Sequence, residues 1–240
     1  MIIKTLASGS KGNAYLLSDG HSELLLECGI SFKKIREGLG FNLSKIAGCL
    51  VSHEHGDHTA GVKKMLQETS IPLFASEGTL EALKIQDKQM LKLVNKTPSS
   101  VATFRIMPFE VQHDAVEPLG FMIDSVKTKE RLVFITDSYY VKYKFPKMDY
   151  LMIECNYAAD ILEANVESGR VHRTQKKRVL QSHFSIENVK DFLRANDLSK
   201  LKEIHLLHIS DSNGDPQRFK QEIQALTGIP VYIARSDKNE

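Results

Sequence analysis

The chain has 240 residues, 42% of them hydrophobic and 26% charged, with a formal net charge of +2. Those proportions are ordinary for a soluble globular protein. No apolar run approaches the ~18–20 residues of a membrane span, and the opening Met1-Ile2-Ile3-Lys4-Thr5-Leu6 lacks a signal-peptide layout. The three cysteines, Cys28, Cys49 and Cys155, are odd in number and sit in apolar surroundings, which suits buried reduced thiols. The expectation is a cytoplasmic protein without a membrane segment, folded as one domain over residues 1–240. Charge alone says little about partners.

In chain order, apolar runs predict strands at 2–7, 14–17 and 23–27. Ser8-Gly9-Ser10-Lys11-Gly12-Asn13 lies between the first two and, by residue type, reads as a hairpin loop. A helix is expected at 31–39, a buried strand at 46–51, a short strand at 72–75 and a helix at 77–86 capped by Ser76. Residues 88–100 are polar and ambiguous. Strands follow at 103–108, 110–112, 119–125, 131–136 and 150–154. Helices are predicted at 158–166, 173–180 and 186–195, the last behind Ser185. The chain closes with strand 203–208, helix 216–226 and strand 231–234. Strands meander early and alternate with helices elsewhere, which predicts an α/β fold with mixed sheets.

The strand at 46–51 leads into His53-Glu54-His55-Gly56-Asp57-His58, and Val62, Met65 and Leu66 then recur at helical spacing. In an extended segment His53 and His55 point the same way, suited to one cation. Where the chain turns, Asp57 and His58 swing away, suited to a second. The alternative is that Asp57 is only a helix N-cap. The zincin pattern fails because Asp57 stands where that motif needs histidine. Imidazoles with a carboxylate suit Zn, Mn or Fe rather than Ca.

Two ions need more ligands, and strand ends are where they are expected. His113 ends one strand run, Asp137 follows the buried run 132–136, and His208 closes the run 204–208. His205 falls on the opposite face and is expected to be exposed or packed. The set divides into His53, His55 and His113 on one metal and Asp57, His58 and His208 on the other. Asp137 bridges them. This is the arrangement of metal-assisted hydrolysis.

These residues in this order resemble the metallo-β-lactamase superfamily, and the resemblance spans residues 2 to about 234. It implies a four-layer αβ/βα sandwich with two mixed β-sheets and the metals at one edge. Hydrolases of thioesters, lactones and phosphodiesters share the pattern, as do diiron oxidoreductases. Asp137, rather than a cysteine, argues against β-lactam hydrolysis, and no flavin domain is present. Ser8–Asn13, His113-Asp114-Ala115, Pro118-Leu119-Gly120-Phe121, Glu154-Cys155-Asn156-Tyr157, Ser182-His183-Phe184-Ser185 and His208–Asn213 look like signatures of the WalJ/YycJ-like subgroup. That subgroup is nuclease-like and associated with DNA exonuclease activity.

The resemblance implies that the Ser8–Asn13 loop lies beside the metals; Ser10, Asn13, Asn156 and Asn213 are candidate substrate contacts, and holding the pocket in shape is the other reading of Asn156. The resemblance also implies that His183 protonates the leaving oxygen; anchoring the Ser185 cap is the other reading. Asp57 and His183 are the catalytic candidates. Glu154 holds the pocket in shape or touches substrate. Two departures stand out: Glu27 replaces the family's usual aspartate, and Ser138-Tyr139 follow Asp137 in place of Thr-Gly.

The segment 170–178 carries five Lys/Arg and no acid. Lys142, Lys144 and Lys147 interleave with Tyr140, Tyr143 and Phe145, rings suited to stacking on unpaired bases. Either group is a solvated face or a phosphate-tracking surface. Arg173, Lys176 and Lys177 are the chosen substrate contacts. The function expected is cleavage of nucleic-acid phosphodiesters, DNA before RNA, by a two-metal (Zn or Mn) exonuclease. The alternatives are a small-molecule hydrolase acting on a thioester, lactone or cyclic phosphodiester, and a non-catalytic binding module.

Overall fold

The computed structural model describes residues 1–235 and divides into two compact units. The last five residues of the expected domain, 236–240, lie outside the described residues. The first unit comprises Met1–Glu110 and Ala115–Glu130; the second comprises Val111–Asp114 and Arg131–Ala234.

In the first unit, β1 (Ile2–Ala7) and β2 (Ala14–Ser18) form an antiparallel hairpin, and β3 (Glu23–Leu26) continues it. Helix α1 (Phe32–Gly38) follows, with the Ser31 hydroxyl accepting the Lys34 N–H at 3.5 Å. It carries the chain over to β4 (Ile46–Leu50), which runs parallel to β3. Two short helices, α2 (Gly56–Thr59) and α3 (Val62–Glu68), come next. One helix is expected after the His53–His58 turn; it is split because the Gly61 N–H donates to the Cys28 carbonyl at 2.8 Å.

Strand β5 (Leu73–Ala75), helix α4 (Glu77–Ala82) and strand β6 (Met90–Lys92) complete a six-stranded mixed sheet in the order β1-β2-β3-β4-β5-β6. Ser76 caps α4 as expected, accepting the Thr79 N–H. Val62, Met65 and Leu66 of α3 pack with Phe32, Ile35, Cys28 and Cys49, the apolar stripe of each helix facing the strands. An antiparallel meander, β7 (Ser99–Val101), β8 (Phe104–Glu110) and β9 (Leu119–Ser125), ends the unit. The ambiguous segment 88–100 thus supplies two short strands. The two strands expected at 103–108 and 110–112 are one, because Glu110 still pairs with Leu119 while the Gln112 N–H turns to the Ser138 hydroxyl.

The second unit is wound in parallel: β10 (Arg131–Ile135), β11 (Tyr150–Glu154), helices α5 (Ala159–Glu167), α6 (Arg173–Ser182) and α7 (Ile186–Ala195), then β12 (Glu203–Leu207), α8 (Pro216–Thr227) and β13 (Val231–Ile233). The strands pair in the order β10-β11-β12-β13. Every residue of β11 is buried, as a parallel strand covered on both faces requires. Helix α8 has Asp215 as N-cap, Pro216 in its first turn and Gly228 in the left-handed conformation beyond its end. The register places Ile135 beside Ile153 and Glu154 beside Leu207, so three strands end level with one another. All three cysteines are buried and unbridged, as expected. Among the described residues no helix is long and apolar enough to cross a membrane.

Candidate functional site

Each unit carries its own donor cluster. In the first, β4 runs out at Leu50 and the chain stays extended to His53 before α2 begins. His55 occupies the N-cap position of α2, so Asp57 is a first-turn residue rather than the cap. The rings of His53 and His55 stand 4.7 Å apart between centroids, and those of His53 and His58 stand 4.1 Å apart.

His58 is fixed from both sides. Its Nδ1 lies 3.3 Å from the Glu27 carboxylate, with both side chains at 0% exposure. The Asn13 carboxamide donates to its Nε2 at 3.2 Å and to the Asp57 carbonyl at 3.3 Å. A donor on Nε2 means that Nε2 carries the lone pair and Nδ1 the proton. That nitrogen lies 3.5 Å from Asp57 Oδ2, and a metal held there would take the lone pair from the Asn13 amide. Glu27 also accepts the Ser52 N–H at 3.2 Å, from a backbone at φ +63°.

The Ser8–Asn13 loop therefore does more than close a hairpin. Its Asn13 N–H donates to the Asp57 carbonyl at 2.8 Å, and the Gly29 N–H donates to the Asn13 carbonyl at 2.7 Å. A Cβ at Gly29 would stand 1.6 Å from the Asp57 carbonyl oxygen, so glycine is required there. Ser10 is exposed on the same loop.

In the second unit the level strand ends deliver the donors: Asp137 after β10, Glu154 closing β11 and His208 directly after β12. His183 stands at the end of α6. One ligand atom each of Asp137, Glu154, His183 and His208 lies within 4.8 Å of all the others. His208 Nδ1 is 2.6 Å from Asp137 Oδ1 and 3.2 Å from Glu154 Oε1, and His183 Nδ1 is 2.6 Å from Glu154 Oε1. His113 Nδ1 faces the Ser182 carbonyl at 2.9 Å. A carbonyl only accepts, so Nδ1 holds the proton and Nε2, 3.8 Å from Asp137 Oδ2, keeps its lone pair.

The electrostatics ask for a cation. Burial lowers the His113 pKa more than Asp137 and Glu154 raise it, leaving a neutral imidazole. Burial also opposes charge on His208, but Asp137 and Glu154 outweigh it and lift its pKa to about 10. His183 is raised too, Glu154 and Asp137 overcoming its burial. Two buried carboxylates, Asp137 at 3% and Glu154 at 0% exposure, are costly unless neutralised. Imidazolium protons fill that need here, and a divalent ion bound by the same nitrogen and oxygen atoms fills it better. The donor set fits a divalent metal.

Other candidate residues have contacts of their own. Asn156 Nδ2 donates to the His208 carbonyl at 2.8 Å, and the Asn156 carbonyl accepts the Ser210 N–H at 2.9 Å. Asn156 thereby brackets His208, whose φ of 49° is a left-handed conformation. Asn213 is buried, with its side-chain oxygen accepting from Asn165 at 2.9 Å. On α6, Arg173 and Lys177 are exposed, whereas Lys176 is ion-paired with Glu163. Phe145 corrects the stacking expectation: it is buried against Phe192, and Tyr140, at 56% exposure, is the open ring of that group. His205 is packed, stacked on Tyr232 at 5.2 Å. Glu154 is walled in and holds shape. Its place among the donors was signalled as plainly as that of Asp137, a carboxylate ending an apolar strand.

The family model for the Beta-lactamase superfamily domain matches residues 23–209. The chain belongs to the β-lactamase superfamily. It is a mixed α/β protein with two mixed sheets and the metallo-β-lactamase fold. It resembles the crystal structure of the metallo-β-lactamase fold protein YhfI from Bacillus subtilis with a TM-score of 0.75, at 18% identity, over 98% of this chain and 95% of that one. In sequence it is similar to Exodeoxyribonuclease WalJ of Streptococcus pneumoniae, 29% identical over 87% of this chain and 81% of that protein. Exodeoxyribonuclease YycJ of Bacillus anthracis is 27% identical over 87% and 82%. This superfamily member is a metal-dependent hydrolase.

Proposed function

We propose that this hydrolase is a DNA exonuclease acting as a single functional domain with two divalent ions, Zn or Mn. The observation that carries the reading is its similarity to two relatives named exodeoxyribonucleases across 87% of its length. The ligands we assign are His53, His55 and His113 for one ion and Asp57, His58 and His208 for the other. Asp137 is shared. Bound ions would supply activated water and neutralise the phosphate charge.

The chain's own residues then have defined work. Asp57 takes the proton of the attacking water. Glu154 holds His183 by Nδ1 and keeps it protonated, so that Nε2 gives its proton to the departing sugar oxygen. Asn13 holds the Asp57 carbonyl and Asn156 the His208 carbonyl. Ser10, on the loop whose Asn13 N–H binds the Asp57 carbonyl, and Asn213, shortly after His208, are assigned to substrate. Arg173 and Lys177, with Lys176 beside them, offer positive charge to the phosphate backbone.

The test is a substrate panel. Metal-stripped protein restored with Mn or Zn is given end-labelled duplex DNA, single-stranded DNA, RNA and a small phosphodiester. Processive shortening of DNA from one end supports the reading. Turnover of only the small diester contradicts it.

A further inference from the structure

Glu54, the residue between the first two histidines, is not a metal ligand in this account, and its carboxylate has another task. Glu54 Oε1 accepts the Val116 N–H at 2.9 Å. Three residues on, the Leu119 N–H donates to the Ser52 carbonyl at 3.0 Å. The loop before β9 is thus tied on either side of His53.

The same loop is held from a third direction. Ser76 donates its hydroxyl to the Glu117 carbonyl at 2.7 Å, and Glu117 Oε2 accepts the Gly78 N–H at 2.8 Å. A Cβ at Gly78 would stand 2.8 Å from Val116 Cγ1 and 2.9 Å from Glu117 Cβ, so the loop is pressed onto α4 where no side chain intervenes. Val116 is 66% exposed on this tied loop. Val116 lays Cγ1 toward Gly78 and leaves most of its side chain open, held by the residue that follows His53, and a fixed aliphatic surface suits the face of a nucleobase or the step between two bases.

We infer that Glu54 is a positioning residue that fixes the 115–119 loop beside His53, so that Val116 meets the base of the nucleotide being removed. The inference rests on the nuclease reading and deepens it: the loop reads bases, and the donor clusters read phosphate. A small phosphodiester without a base has nothing to place against Val116.

The experiment compares wild type with Glu54→Ala, Glu54→Gln and Val116→Ser. Three quantities are measured: the ratio of kcat/KM on a single-stranded oligonucleotide to that on bis-p-nitrophenyl phosphate, metal content per chain, and hydrogen exchange of the Val116 amide. Glu54→Ala and Val116→Ser are expected to lower the ratio about tenfold, mainly through KM. Glu54→Gln keeps the ratio within about twofold, since its amide oxygen still accepts the Val116 N–H. Exchange at Val116 accelerates in Glu54→Ala and not in Glu54→Gln.

An unchanged ratio in Val116→Ser overturns the base contact. Equal losses on both substrates, or loss of metal in Glu54→Ala, overturn the positioning role and leave Glu54 as a support for the histidine turn. Wild type that turns over the small diester but no oligonucleotide overturns the nuclease reading itself. The exchange data would then still decide whether Glu54 orders the loop.

Discussion

Glu27 and His58 face each other at 3.3 Å with neither side chain exposed. The glutamate reaches the ring from the end of β3 while also holding the Ser52 N–H, one residue before His53. One carboxylate therefore steadies both ends of the histidine turn. Glu27 itself stands in a left-handed backbone conformation, φ +63°. Removing the carboxylate, as in Glu27→Ala, is expected to weaken metal binding by ~10–100-fold. Competition against a chelator measures it. Unaltered affinity would show that the contact leaves His58 unaffected.

His183 is expected to show its role through the leaving group. An alkoxide leaving from DNA needs a proton, whereas p-nitrophenolate does not. His183→Asn should slow oligonucleotide cleavage by ~10²–10⁴-fold and slow release of p-nitrophenol from a nitrophenyl phosphodiester by far less. Equal losses on the two substrates would make His183 a structural partner of Glu154 only.

The basic face of α6 gives a graded expectation. Charge reversal at Arg173 and Lys177 should weaken DNA binding and reduce the salt slope by ~0.9 for each phosphate no longer neutralised. Lys176 is already paired with Glu163, so its reversal should cost less affinity. Filter binding with metal-stripped protein across a salt series reads this directly. A slope unchanged in the double variant would reduce α6 to a solvated face.

Asp19 supplies a pH test away from the donors. Burial pushes its pKa up, but the N–H groups of Ser22 and His21 and the hydroxyls of Thr103 and Ser125 more than reverse that, to about 2 from 3.8. The folded value lies below the unfolded one, so this stabilisation is complete above the unfolded value and disappears as pH falls through about 2. Asp19 thereby ties the turn after β2 to the β7–β8 turn and to the end of β9. Asp19→Asn should cost about 1–3 kcal/mol near neutral pH. Its melting temperature should converge on that of wild type in strong acid. A gap that stays constant with pH would refute the assignment.

The donors were legible in the sequence because each obeys a local rule. His53 to His58 follow a buried strand, and Asp137 and His208 sit where apolar runs stop. What holds those donors was not legible. Glu27 reaches His58 across the sheet, Asn156 reaches the His208 carbonyl from a neighbouring strand end, and Glu54 ties a loop far along the chain. Such contacts depend on tertiary placement, and no spacing along the chain encodes them. Phe145 failed for a related reason: in an irregular segment no periodicity says which ring turns inward.

On the proposed function, the chain's donors serve two divalent ions that work together on a phosphodiester. The most direct measurement titrates metal-stripped protein with Mn while following cleavage of end-labelled DNA, beside an Asp137→Ala control. The expected rate rises until two ions are bound per chain, and the control neither completes the titration nor cleaves. Full activity at one ion per chain, or an active Asp137→Ala protein, would contradict it.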